Sequence, residues 1–258
     1  MALYFGNVRT TAGLLTPFKG TLFMTSITLR VQKALVYWAL LFLFGFGVAM
    51  VALLHMVPLP PATLDASEVA HFYRENGLQV RLGAMVGAWT GGFMVPLAVV
   101  ISVQMARMEK GTPVLAMLQL TGGGLMSVFL AFPPVFWGVA AFTPERPAEI
   151  TQLIHEVANL TFIATNQFVV FQYAAIAAFT FLYRDDALSP FPCWFGYLTV
   201  WIILILEVGS VAFLTKAGPF AWNGLFVFWV PFTVFFWWLV IISVLLLRTI
   251  KRQNSEAA

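Results

Sequence analysis

Six long apolar stretches, separated by short polar segments, dominate the hydrophobic pattern of the chain. A bilayer core about 30 Å thick requires roughly 20 consecutive apolar residues in a helix. The pattern therefore predicts an all-α fold, a polytopic transmembrane bundle of six helices. The predicted segments are residues 34–57, 82–105, 114–142, 150–183, 194–214 and 225–247.

The composition supports a membrane protein. Hydrophobic residues make up 60% of the 258 residues and charged residues only 10%, with a mean hydropathy of +0.88. A soluble domain of this size could not place so much apolar surface out of water. The lipid bilayer is thus the expected partner. Nucleic acid is excluded as a partner, because the net charge of +3 comes from Lys and Arg at segment ends rather than from a basic patch.

The distribution of Lys and Arg predicts the orientation. Ten lie in the two ends of the chain and in the second and fourth loops, and four lie in the other three loops. Cytoplasmic segments carry the excess of basic residues, so both termini should be cytoplasmic. The first group is Arg9, Lys19, Arg30, Lys33, Arg107, Lys110, Arg184, Arg248, Lys251 and Arg252; the second is Arg74, Arg81, Arg146 and Lys216.

The chain divides into an N-terminal tail (1–23), a six-helix domain (24–252) and a C-terminal tail (253–258). Residues 1–23 contain neither a spanning segment nor a signal peptide. Two interpretations stay open: a start-site artefact ahead of Met24, or an interfacial tail anchored by Tyr4, Phe5 and Phe18.

A short amphipathic helix is expected in the first outer loop. The stretch PLPPATLDASEVAHFYRENG has a Pro-rich entry, Asp65 as N-cap with Glu68 three residues later, and Asn76 followed by Gly77 as the end. An acidic cap with Glu at the third helical position forms a capping box.

Glycines and prolines predict how the helices meet. Gly83, Gly87 and Gly91 repeat every four residues, which makes a flat helix face. Such a face allows close helix packing, inside the bundle or in a dimer, and we favour the bundle. Prolines inside three segments free backbone groups that neighbours or water must satisfy. They are Pro96, Pro133, Pro134 and Pro231.

A polar stripe follows the fourth segment. At 100° per residue, one set of polar side chains falls within about 60° of a single line and should face protein or water, because lipid would leave the donors unsatisfied. We expect its outer members, Gln152, His155 and Glu156, to project into water. The stripe is Gln152, His155, Glu156, Asn159, Asn166, Gln167 and Tyr173, with Thr161, Thr165 and Gln172 on the opposite side.

Glu207 is the only carboxylate deep within a segment, where an isolated charge is costly. Its expected partners are Asn166, Gln167 or a backbone group freed at Pro133 or Pro231. It is either functional or a neutral hydrogen-bonded link between helices. The candidate substrate-binding residues are Glu207, Asn166, Gln167, Asn159 and Glu156.

No metal or cofactor is expected. His55, His71 and His155 map to the outer boundary with several Glu residues, and imidazole with carboxylate suits iron, copper or zinc. However, no HxxxH or ExxH pair lies on one transmembrane helix face. The single Cys193 excludes an internal disulfide.

Three segments, SVQMARMEKG, FWGVAAFTPERPAEITQLIHE and KAGPFAWNGLFVFWVPFTVFFWWLV, resemble a family of uncharacterised bacterial six-helix integral membrane proteins. The resemblance spans about residues 24–252. It implies six helices and a location in the bacterial inner (cytoplasmic) membrane, and it carries no activity and no binding residues.

Three functions remain open. The favoured one is binding or transport of a small lipophilic compound through an outward-facing cavity between the fourth, fifth and sixth helices. The second is a non-catalytic scaffold for a partner membrane subunit. The third is a membrane metalloenzyme that uses the outer His and Glu residues. The sequence identifies no catalytic residue and favours a role other than catalysis.

Overall fold

The computed structural model describes residues 26–164 and 167–256, and this part of the chain is built from helices. Short π-helical turns at Ala49–Leu53 and Leu225–Trp229 and 3-10 turns at Gly91–Phe93 and Val208–Leu214 extend or join them. The α-helices of the described part are α1 (Ser26–Val48), α2 (Ala66–Glu75), α3 (Gly77–Thr90), α4 (Met94–Ala106), α5 (Val114–Phe142), α6 (Ala148–Ala164), α7 (Gln167–Leu182), α8 (Cys193–Glu207) and α9 (Val230–Glu256).

Six helical spans in the described part are long and apolar enough to cross a membrane, which confirms the predicted number. The second span joins α3 to α4, and the fourth contains α6 and α7. The spans are Thr28–Leu53, Gly77–Ala106, Val114–Phe142, Ala148–Leu182, Cys193–Leu214 and Leu225–Glu256.

The six spans form a ring in chain order. Each span packs against the next, and α9 of the sixth span returns to pack against α1 of the first. The most extensive contacts are those of α5, which packs against α3, α4, α6 and α7. The contacts of α9 with α1 and α8 are thinner. The ring is therefore tightest around the third span and loosest around the sixth.

The glycine face of α3 packs inside the bundle. A Cβ atom placed on Gly83 would lie 2.8 Å from Leu54 Cγ, and one placed on Gly91 would lie 2.9 Å from Ala131 Cα. Only glycine permits such close approach of neighbouring helices. These contacts favour the bundle interpretation over a dimer interface.

The prolines lie in the first turn of an α-helix in two of the three spans and in the interior of the helix in the third. Pro96 is the third residue of α4 after the 3-10 turn, and Pro231 is the second residue of α9 after a π turn. Proline fits the first turn of a helix, where its missing N–H would have no partner. Pro133 and Pro134 lie within α5, which continues to Phe142.

The helix between the first two spans, α2, begins as its sequence predicts. The Asp65 side chain accepts from the Glu68 amide, and the Glu68 side chain accepts from the Asp65 amide. Its apolar side, including Val69 and Tyr73, is buried, and α2 packs mainly on α6. The helix is thus held against the fourth span.

The two ends of the described chain meet at one end of the ring. Gln104 Nε2 donates to Gln32 Oε1 at 2.8 Å, and Gln253 Nε2 donates to Gln104 Oε1 at 2.8 Å. This network joins α1, α4 and α9. Residues 253–256 of the predicted C-terminal tail continue α9. The predicted tail 1–23 lies outside the described residues.

Candidate functional site

A buried chain of hydrogen bonds joins α2, α5 and α6. Trp137 Nε1 donates to Asn159 Oδ1 at 2.9 Å, Asn159 Nδ2 lies 2.8 Å from His155 Nε2, and His155 Nδ1 lies 2.8 Å from the Tyr73 hydroxyl. All four side chains are at most 3% exposed. We call these residues the outer polar relay, after the side of the membrane on which the sequence analysis expects them.

The Trp137 end of the relay determines which groups donate and which accept. The indole N–H of Trp137 can only donate, so the facing atom of Asn159 is its oxygen and the amide nitrogen faces His155. An amide nitrogen donates, and His155 Nε2 therefore accepts. The imidazole is then neutral with its proton on Nδ1, from which it donates to the Tyr73 oxygen. Each ring nitrogen and amide group along the relay has a partner.

The structure corrects the expectation that His155 projects into water, because its side chain is only 2% exposed. Two elements outside the fourth span cover it. Tyr73 of α2 packs edge-on at a ring-centroid distance of 5.6 Å. Trp222, whose Nε1 donates to the Pro60 carbonyl at 2.7 Å, packs edge-on at 5.9 Å.

Glu156, one residue further, lies at the surface. Its Oε1 is 3.0 Å from Lys216 Nζ, and the side chains are 28% and 66% exposed, respectively. An exposed pair of this kind contributes little to stability. Gln152, the remaining outer member of the stripe, donates from Nε2 to the Leu64 carbonyl at 3.4 Å.

Glu207, the deepest predicted site residue, ends α8. Its Oε1 is buried and has no hydrogen-bond partner in the described part of the chain. Within residues 26–164 and 167–256 it makes no hydrogen bond to Gln167, which is exposed together with Phe171 one turn further on the same face of α7. The described residues therefore form no direct hydrogen bond between Glu207 and Gln167. Asn166 lies outside the described residues, so its pairing with Glu207 stays a prediction.

The polar stripe does not face one way along the whole span. Asn159 and Tyr173 are buried as predicted, but so is Gln172 from the opposite side. Gln172 Nε2 donates to Gln119 Oε1 at 3.0 Å, because α7 is covered by α5 on one side and by α8 on another.

The three histidines have separate partners. His55 Nε2 lies 3.1 Å from Gln79 Oε1, His71 Nε2 lies 3.1 Å from Glu75 Oε1, and His155 belongs to the outer polar relay. In the part of the chain that the structure describes, no three His, Cys, Asp or Glu residues are grouped as a metal would require.

A large cavity lies between the first and sixth spans. Its volume is about 600 Å³, and its lining is almost entirely apolar. Residues that represent the two walls are Leu40, Phe44 and Gly47 on one side and Phe232, Phe236 and Val240 on the other. We call this the seam cavity. It differs in position from the expected cavity between the fourth, fifth and sixth helices.

Smaller cavities do lie near the expected position. One of about 50 Å³ is lined by residues of the third to sixth spans, including Leu206, the neighbour of Glu207. It shares Leu130, Phe162, Phe232 and Phe235 with the seam cavity. The apolar lining thus continues from the seam toward the interior of the ring.

A separate cavity of about 430 Å³ lies between α1 and α9 nearer the chain ends. Arg30, Lys33 and Tyr37 line it from α1, and Lys251 and Asn254 line it from α9. The Lys33 ammonium lies 5.8 Å from the centre of the Tyr37 ring. We call this the basic cavity.

Of the candidate site residues that the structure describes, none lines the seam cavity. Asn159 belongs to the outer polar relay, Glu156 to a surface pair and Gln167 to an exposed face. The residues that line the seam cavity are apolar, so a search of the sequence for reactive or hydrogen-bonding side chains does not find them. In the sequence, Lys33 and Lys251 of the basic cavity indicate only the orientation. The signal that could have found the seam is Gly47, a small residue among large ones on an exposed helix face.

Comparison of the chain with protein-family models, curated proteins and solved structures gives no match. The resemblance to a bacterial six-helix family therefore stays a prediction.

Proposed function

We propose that this chain is a multi-pass protein of a bacterial cytoplasmic membrane that binds a small lipophilic compound in the seam cavity. The observation that carries the proposal is the apolar cavity of about 600 Å³ between α1 and α9. Binding sites for small molecules commonly have volumes of about 300–1,000 Å³ and mainly apolar linings.

The walls of the cavity support a lipophilic ligand. Phe44 is 71% exposed and Phe236 is 42% exposed, so the cavity opens on the outer surface of the ring, where lipid chains would lie. An apolar molecule dissolved in the bilayer could enter sideways without crossing a polar layer. The lining offers almost no hydrogen-bonding atoms, so contact area and shape would determine affinity.

The outer polar relay supports placing the ligand in the seam cavity, because the polar groups of the relay are already hydrogen-bonded to one another. Its groups satisfy one another at 2.8–2.9 Å, and its residues line none of the cavities described above. Displacing these bonds with a ligand would leave buried polar groups unpaired, at a cost of about 1–3 kcal/mol each. We therefore assign the relay to holding α2 against the spans.

The proposed orientation has both termini in the cytoplasm. An even number of spans places both ends on one side, and the Gln32–Gln104–Gln253 network brings the two ends together. The excess of Lys and Arg in the same regions supports the cytoplasmic assignment.

Gly47 provides the test. A Cβ atom on Gly47 would meet no atom within 4 Å, so Gly47→Phe should fill the seam cavity without forcing a wall apart. Gly124 of α5 is the matched control, because its Cβ would also meet nothing within 4 Å and it lines none of these cavities. A long-chain alcohol carrying a photoreactive diazirine serves as the neutral probe for the purified full chain.

Mass spectrometry should find the probe on peptides that contain Phe44 and Phe236. Gly47→Phe should abolish that labelling, whereas Gly124→Phe should preserve it. Uniform labelling of all six spans, or labelling at Phe44 and Phe236 that Gly47→Phe leaves unchanged, would contradict the proposal.

A further inference from the structure

The basic cavity and the seam cavity lie on the same faces of the same two helices. On α1, Tyr37 lines the first and Leu40 the second, three residues apart, or about 4.5 Å along the axis at 1.5 Å per residue. On α9, Leu247 lines the first and Val240 the second. Seven residues are nearly two full turns, so both side chains lie on one face.

The seam between α1 and α9 therefore has a basic part followed by an apolar part. Near the chain ends the seam offers Arg30, Lys33 and Lys251, and further along it offers Phe, Leu and Val. A ligand that spans both parts must be an amphiphile with a polar head and a long apolar chain.

The head must be anionic. Arg30, Lys33 and Lys251 are exposed, no acidic residue lines either cavity, and none of the three is paired with a carboxylate in the described part of the chain. The only acidic residue on α1 or α9 is Glu256, which lies close enough to Arg107 to act on its charge. Within the described residues, no carboxylate is therefore paired with the positive charge at the seam.

We propose that the seam between α1 and α9 binds an anionic phospholipid of the surrounding bilayer. The phosphate contacts Arg30, Lys33 and Lys251, and one acyl chain occupies the seam cavity. Basic pockets between transmembrane helices on the cytoplasmic side are a known form of anionic lipid recognition. The inference rests on the proposed function, because it names the chemical class of the ligand that enters the seam cavity.

Two lipid probes with one identical diazirine-bearing acyl chain test the proposal: phosphatidylglycerol, which is anionic, and phosphatidylcholine, which has no net charge. We expect phosphatidylglycerol to label the Phe44 and Phe236 peptides of the full chain more strongly. Each basic residue near a membrane surface changes the affinity for anionic lipid by about fivefold. Lys33→Gln with Lys251→Gln should therefore lower phosphatidylglycerol labelling by roughly 25-fold and leave phosphatidylcholine labelling unchanged.

Lys110→Gln is the matched control, since Lys110 is exposed in the loop between α4 and α5 and lines neither cavity; it should preserve the preference. Equal labelling by the two lipids, or no effect of the double substitution, would overturn this inference while the neutral alcohol still labels the seam. If neither lipid nor the alcohol labels the seam, the proposed function itself fails.

Two further outcomes would assign the seam to another occupant. Displacement of the lipid by excess inorganic phosphate alone would show a site for free anions. Labelling that occurs only in a chain beginning at Met24 would show that the preceding segment fills the seam. We expect phosphate to leave labelling intact and both chain lengths to be labelled equally.

Discussion

Replacing Asn159 by Leu tests the outer polar relay most directly. Leucine has the same branched arrangement of heavy atoms as asparagine but no polar atom, so Trp137 Nε1 loses its acceptor and His155 Nε2 loses its donor. Each buried polar group left unsatisfied costs about 1–3 kcal/mol. We expect the free energy of unfolding to fall by about 2–6 kcal/mol, the sum for two groups.

Tyr73→Phe provides a graded comparison. It removes only the acceptor of the His155 Nδ1 proton, so the expected loss is about 1–3 kcal/mol. Gln167→Leu is the control, because Gln167 is an exposed amide on the adjoining helix α7. A surface substitution of this kind changes stability by no more than about 0.5 kcal/mol.

Equilibrium unfolding in mixed micelles, followed by tryptophan fluorescence, measures all three differences on the same scale. The expected order of destabilisation is Asn159→Leu, then Tyr73→Phe, then Gln167→Leu. A loss below about 0.5 kcal/mol for Asn159→Leu would mean that water reaches the relay, and the assignment of His155 as a buried neutral imidazole would be wrong.

Three further predictions concern orientation, pH and Glu207. Reporter fusions at Gly111 and after the last residue should be cytoplasmic and one at Arg146 exterior; a cytoplasmic signal at Arg146 would refute the topology. The hydrogen bond from Ser67, followed by that from the Glu68 amide, lowers the pKa of Asp65 below its ordinary 3.8. Its stabilisation of α2 is therefore complete above that pH and is lost as the pH falls through the lower folded value. Amide exchange in α2, corrected for intrinsic rates, should rise at low pH in the native chain but not in Asp65→Asn, and equal behaviour would count against the cap. Glu207→Gln keeps a donor and an acceptor and should fold normally in thermal unfolding; a large drop in melting temperature would show that the carboxylate charge holds the bundle.

The features that sequence could predict depend on residues close together in the chain. The number of spans follows from the length of apolar runs, and the α2 cap follows from the spacing of Asp65 and Glu68. Gly83 and Gly91 fit close packing because a stripe with a four-residue period can be recognised within one helix. In each case the physical cause acts over one or two turns.

The features that sequence could not predict depend on distant partners. His155 is buried because Tyr73, 82 residues earlier, folds over it. Gln172 is buried because α5 approaches α7, and no pattern within α7 distinguishes it from the exposed Gln167. The seam cavity arises from a gap between two apolar helices, which leaves no mark in hydropathy. Tertiary packing decides all three.

The closure of the ring between its first and sixth spans has a consequence for synthesis. The seam and its two cavities need both α1 and α9, which lie far apart in the chain. Gln253 is synthesised 149 residues after Gln104. Until then Gln104 lacks that amide partner, and the edge of α1 that will contact α9 meets lipid alone. A nascent chain arrested before α9 would hold the first five spans and would lack the proposed ligand site. Maturation of the proposed site is thus tied to the synthesis of α9, and ligand occupancy would report that α9 has joined α1.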